Sequence, residues 1–107
     1  MVGHTGDFKA VVNAVEKVDT CLDKIVKACK KNNYAIVVIA DHGNAEYMVN
    51  EDGSINTSHT TNKVPIFVIN SKFSKLKNGN LCDVAPTILS LMKINIPTEM
   101  TGKNLLS

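Results

Sequence analysis

A chain of 107 residues has room for one domain with a modest core. Twelve basic and ten acidic side chains leave a net charge of +2, and three Phe and two Tyr accompany no Trp; this excludes the basic stripe with stacking aromatics that nucleic-acid binding uses. No signal-like apolar core opens the chain and no stretch approaches the ~20 apolar residues of a membrane span, so a cytoplasmic protein with no membrane partner is expected.

Residues 7–31 carry a helical pattern. Phe8, Val11, Val15, Val18, Leu22, Ile25 and Cys29 recur at spacings of three and four and build one apolar stripe. Asp7 after Gly6 is a natural N-cap, Asn32-Asn33 ends the helix, and the Lys30-Lys31 doublet reads as its solvated end. Residues 34–40 form a first strand. Residues 41–63 are polar and mostly irregular, with one helical turn expected near residues 45–48 and an exposed turn at Glu51-Asp52-Gly53-Ser54. Loops of that length in compact domains are commonly functional. Residues 64–70 form a second strand, with Pro65 tolerated at its start. Asp83 is placed to cap a second helix running through Ile88, Leu89, Leu91 and Met92, and residues 97–107 read as an irregular tail. Cys21, Cys29 and Cys82 lack CxxC spacing and fall in apolar patterns, so buried, reduced thiols are expected.

The apolar run Ile36-Val37-Val38-Ile39 stops abruptly at Ala40-Asp41-His42-Gly43-Asn44, and α/β proteins place their chemistry just beyond the carboxyl end of a strand. His4 and His59 lie in comparable settings, His4 before Thr5-Gly6-Asp7 and His59 between Thr57-Ser58 and Thr60-Thr61. Aspartate with neutral imidazole suits Mn2+, Zn2+, Co2+ or Fe2+ better than Ca2+. Adjacent Asp41 and His42 can hold one ion from two sides, and His4 and His59 a second; two ions ~3.5–4 Å apart form the usual clamp for phosphoryl transfer. Each motif alone reads more readily as a turn, a lead into a helix cap or an ordinary loop histidine, and only the three together bring a metal site level with those readings. A common site would require the second strand to begin where the first stops, so the two should run in opposite directions within a small mixed sheet.

At these residues the chain resembles the C-terminal part of cofactor-independent (2,3-bisphosphoglycerate-independent) phosphoglycerate mutase, within the alkaline phosphatase superfamily. The likeness rests on Met1-Val2-Gly3-His4-Thr5-Gly6, Ala40-Asp41-His42-Gly43-Asn44-Ala45-Glu46, Ser58-His59-Thr60-Thr61-Asn62-Lys63-Val64-Pro65, Leu81-Cys82-Asp83-Val84-Ala85-Pro86-Thr87 and Pro97-Thr98-Glu99-Met100-Thr101-Gly102-Lys103, in that order. It implies an α/β fold, a partial alkaline-phosphatase-like α/β/α layer, with residues 1–107 forming the C-terminal portion of the metal-binding domain. It implies an isomerase of glycolysis and gluconeogenesis that interconverts 3- and 2-phosphoglycerate through a phosphoserine, using two ions, Mn2+ foremost. It implies His4 and His59 as ligands of one ion and Asp41 and His42 as ligands of the other. Asn44 follows the motif with no chemical role assigned.

The nucleophilic serine, two aspartate ligands and the separate substrate-binding domain of that family have no match in the 107 residues, and Ser58 does not occupy the nucleophile's place. The fragment alone is therefore expected to be inactive, to hold its ions weakly, and to self-associate through unpaired edges and apolar faces. Two other readings stand beside this one: another superfamily member such as phosphopentomutase, which shares an Asp-His-Gly and a later His-Thr, and a non-enzymatic metal-binding or interaction module.

Overall fold

The computed structural model describes residues 2–73 and 75–107; Met1, which opens the first motif, and Ser74 lie outside the described residues. A 3₁₀ turn over Val2–His4 leads into helix α1, Phe8–Lys31. Strand β1 is Ile36–Ile39 and strand β2 is Ile66–Ile69. A second 3₁₀ turn, Leu81–Asp83, runs directly into helix α2, Val84–Leu91. The α/β class expected from the sequence holds.

The chain divides into two compact units, one made of residues 1–28 and 39–65 and the other of residues 29–38 and 66–107. In the first unit, Asp7 caps α1 as its position predicts: its Oδ1 accepts the Ala10 N–H at 2.9 Å and its carbonyl accepts the Val11 N–H at 3.0 Å. The long segment after β1 holds no helix or strand, as expected, but it is ordered by pairing. It folds back on itself as two arms, joined by antiparallel bridges between Gly43 and Thr60 and between Val49 and Ile55. The turn at residues 50–54 closes the far end, with the Asn50 N–H donating to the Ser54 carbonyl at 2.8 Å and Gly53 at φ +82°. The helical turn expected at residues 45–48 is instead a single turn in which Tyr47 N–H reaches the Asn44 carbonyl, because residues 48 and 49 are already committed to the bridged arm. Met48 and Val11 are buried.

In the second unit, α1 ends in a Schellman motif. Asn33 takes the left-handed conformation at φ 59°, the Tyr34 N–H returns to the Cys29 carbonyl at 2.9 Å, and the Asn33 N–H to that of Lys30 at 3.2 Å. Strands β1 and β2 are hydrogen-bonded neighbours. The Asn70 side chain at the end of β2 donates to the Tyr34 carbonyl just before β1 at 2.9 Å, so the strands run in opposite directions, as a shared site beyond them requires.

Asp83 is the N-cap residue of α2, as expected, but its side chain makes no capping bond. Its two carboxylate oxygens accept instead from the Asn80 N–H and the Lys103 N–H, each at 2.7 Å. Thr87, fully buried, donates its hydroxyl to the Asp83 carbonyl at 2.7 Å and accepts the Leu105 N–H at 3.0 Å. The tail is thus drawn in. Leu105 and Leu106 are buried, and Leu106 bridges antiparallel to Leu76. A Cβ on Gly102 would overlap the Cys82 carbonyl, which is why the chain can pass there only with glycine.

The thiols depart from expectation. All three are free, but Cys21 and Cys82 are exposed and Cys29 only half-buried. Cys21 lies on a helix whose apolar stripe is itself largely uncovered, with Phe8, Val15, Val18 and Ile25 more than half exposed; Cys82 sits on the outer side of a single 3₁₀ turn. Among the described residues, no helix is long and apolar enough to cross a membrane.

Candidate metal centre

All four residues singled out by the sequence fall in the first unit, at one end of its two arms. His42 and His59 stack face to face with ring centroids 3.5 Å apart and planes inclined by 17°. His4 also meets His59, with ring centroids 5.2 Å apart and planes tilted by 44°. The Asp41 carboxylate is 3.6 Å from His42 Nε2 and is 88% exposed, open to solvent on its far side. His4 is the last residue of a 3₁₀ turn rather than part of a loop.

The backbone orients two of these rings. His4 Nδ1 is hydrogen-bonded to the Thr57 carbonyl and His42 Nδ1 to the Gly43 carbonyl at 3.0 Å. A carbonyl only accepts, so each Nδ1 carries a proton, and in the neutral ring Nε2 then holds the lone pair. A ring held through one nitrogen by a backbone oxygen, with the other nitrogen bare, is the usual state of a metal-ligating histidine. The Gly43 carbonyl also accepts the Thr60 N–H at 2.9 Å, so one oxygen both closes the bridge and sets the His42 tautomer. Among the described residues no three His, Cys, Asp or Glu side chains already surround one point; the imidazoles are packed ring against ring. The donor set fits borderline divalent ions nonetheless: three imidazoles, two of them presenting Nε2, and one accessible carboxylate.

Residues without a predicted role hold this arrangement. Glu46 accepts from the Asn44 N–H at 2.7 Å, from the Asn62 side chain at 3.1 Å and from the Thr60 hydroxyl. The Thr60 hydroxyl, together with the backbone and side-chain amides, holds the Glu46 carboxyl down at about 2. Asn44 donates its side chain to the Ser58 carbonyl at 3.2 Å, and a Cβ on Gly3 would collide with that same side chain. Beside His59, Tyr47, Asn56, Thr60, Thr61 and Asn62 line an open depression of about 360 Å3. The signal for Glu46 was its place four residues beyond His42 in an otherwise uncharged stretch, but nothing in spacing alone says which arm it would grip.

The α/β scaffold thus gathers three imidazoles and a carboxylate at one end of the two arms. Residues 1–96 match the model of the metalloenzyme superfamily, and the chain belongs to that superfamily. Over 99% of its length the chain is 50% identical to the 2,3-bisphosphoglycerate-independent phosphoglycerate mutase of Parabacteroides distasonis and 46% identical to that of Gracilaria tenuistipitata. A crystal structure of Leishmania mexicana phosphoglycerate mutase, obtained at low cobalt concentration, superposes on 99% of the chain with a TM-score of 0.85 at 30% identity. The chain spans about a fifth of the length of these relatives, 21% and 22% of the two curated enzymes and 23% of the solved one.

Proposed function

We propose that these 107 residues are the C-terminal portion of the metal-binding domain of a cofactor-independent phosphoglycerate mutase, a cytoplasmic isomerase of glycolysis and gluconeogenesis acting on 3- and 2-phosphoglycerate. The observation that carries this reading is the convergence of His4, His42 and His59 with Asp41 at one end of the paired arms. His4 and His59 would hold one divalent ion and Asp41 and His42 the other; the donors suit Mn2+, Zn2+, Co2+ or Fe2+, and the resemblance to phosphoglycerate mutases puts Mn2+ foremost. Bound there, the ions supply positive charge to a transferring phosphoryl group. The side chains' own task is to present Nε2 and carboxylate oxygen at fixed positions, which the backbone bonds to His4 and His42 accomplish without cost at the moment of reaction. Each ion has only two ligands from this chain, so binding by the chain alone is weak, and turnover needs a nucleophile supplied by other polypeptide. The uncovered stripe of α1 leads the isolated chain to self-associate.

The test is a chimera in which these residues replace the corresponding region of the Parabacteroides distasonis mutase. It should interconvert 3- and 2-phosphoglycerate in the presence of Mn2+ and lose that activity on His59→Ala, while the 107-residue chain by itself shows none. A folded chimera without mutase activity, or one indifferent to His59→Ala, contradicts the assignment.

A further inference from the structure

We infer that Glu46 is a positioning residue, a clamp whose carboxylate ties the arm bearing His42 to the arm bearing His59 and so sets the distance between the two imidazoles. This rests on the reading of His4, Asp41, His42 and His59 as the metal centre. The two rings sit one residue away from the Gly43–Thr60 bridge, His42 before Gly43 on the outgoing arm and His59 before Thr60 on the returning one. Glu46 grips both sides of that bridge. On the outgoing arm it accepts the Asn44 N–H through Oε2; on the returning arm it accepts the Thr60 hydroxyl and the Asn62 amide through Oε1. Both oxygens are engaged, and an ionised carboxylate accepts from all three partners at once.

The coupling to the rings is direct. The Thr60 N–H and the His42 Nδ1–H converge on the same Gly43 carbonyl. Any slip of Thr60 along the bridge therefore moves the oxygen that orients His42. The surroundings leave no slack: a Cβ on Gly43 would strike both the Glu46 carboxylate and the Thr60 hydroxyl, so the clamp closes against bare backbone. The Asn44 side chain to the Ser58 carbonyl is a second cross-arm tie, but it involves no charge and does not touch Thr60. Glu46 contacts none of the four proposed ligands in its described hydrogen bonds, and its effect on an ion is exerted through their placement.

Replacing Glu46 by Gln turns one acceptor oxygen into a donor facing another donor, with almost no change of shape. Thr60→Val removes the hydroxyl from the opposite side, and Thr60→Ser keeps it. The experiment uses the 107-residue chain, read in two ways. Metal-free, it measures nuclear Overhauser contacts between the His42 and His59 rings; with Co2+ as probe, it measures affinity by titration. Glu46→Gln and Thr60→Val should each weaken Co2+ binding about tenfold or more and abolish the ring-to-ring contact. Thr60→Ser should behave like the parent, and the double variant should be no worse than either single one. Retention of both readouts in Glu46→Gln and Thr60→Val, or equal damage from Thr60→Ser, overturns the clamp. If Glu46→Gln fails to fold, the Thr60→Val and Thr60→Ser comparison decides. If the parent chain takes up no Co2+, the metal reading fails, and the ring-to-ring contacts alone decide the clamp.

Discussion

The side chains that set this molecule's geometry are few, and several of them are carboxylates that bind backbone rather than charge. Asp83 is the plainest example. Amide donors from Asn80 and then Lys103 hold its carboxyl below the ordinary 3.8. A carboxylate whose folded pKa is depressed contributes stability that is present above its unfolded pKa and lost as the pH falls through the folded value. Asp83→Asn should therefore lower the melting temperature by several degrees at neutral pH, since one of the two N–H groups would then face an amide donor. The gap between parent and variant should close as the pH drops below 3.8, followed by circular dichroism melts across that range. A gap that stays constant down to strongly acidic pH would mean that the carboxylate's charge plays no part in pinning the tail.

At the scale of elements, the sequence disclosed what depends on period and punctuation. The stripe from Phe8 to Cys29 and the cap at Asp7 fixed α1 to within a residue of its observed span, and the apolar runs located both strands, each trimmed to four residues. Strand direction was legible too, because it followed from where His42 and His59 had to meet. What was hidden depends on long-range partners. Asp83 had every local mark of an N-cap, yet the Asn80 and Lys103 amides compete for its oxygens and win. Residues 97–107 lack any periodic pattern, and their order comes from Thr87, eighteen residues before the amide it accepts. The pairing of the two arms in residues 41–63 leaves no local trace for the same reason: its ties run from Glu46 to Thr60 and Asn62, and no local rule pairs them. The thiols were misplaced because an apolar pattern promises burial only where something covers it. Phe8 at 69% and Val18 at 66% exposure show how little of the α1 stripe is covered. A contiguous apolar face of that kind drives association in water. Sedimentation of the isolated chain should accordingly show larger species growing in from low to high micromolar concentration. Val15→Lys with Val18→Glu should suppress them while leaving the helix intact. A clean monomer throughout would contradict that expectation.

For the whole molecule, the candidate site was legible in identity and opaque in support. Three histidines and one aspartate outside helix faces and apolar runs were enough to single out the candidates, and the resemblance to phosphoglycerate mutases is what pairs them as proposed ligands. The network that brings them together was not legible, since hydrogen bonds among Asn, Thr and Glu leave no periodic trace. The superfamily match and the similarity to phosphoglycerate mutases over a fifth of their length place the chain among metalloenzymes; the centre at one end of the two paired arms is the proposal. The most direct measurement is an anomalous difference map from crystals of the chain soaked in Mn2+. Two peaks are predicted, one bounded by His4 and His59 and one by Asp41 and His42, both missing from crystals of a His42→Ala, His59→Ala variant. Peaks confined to other surfaces, or none at the imidazole cluster under saturating Mn2+, would contradict the proposed centre.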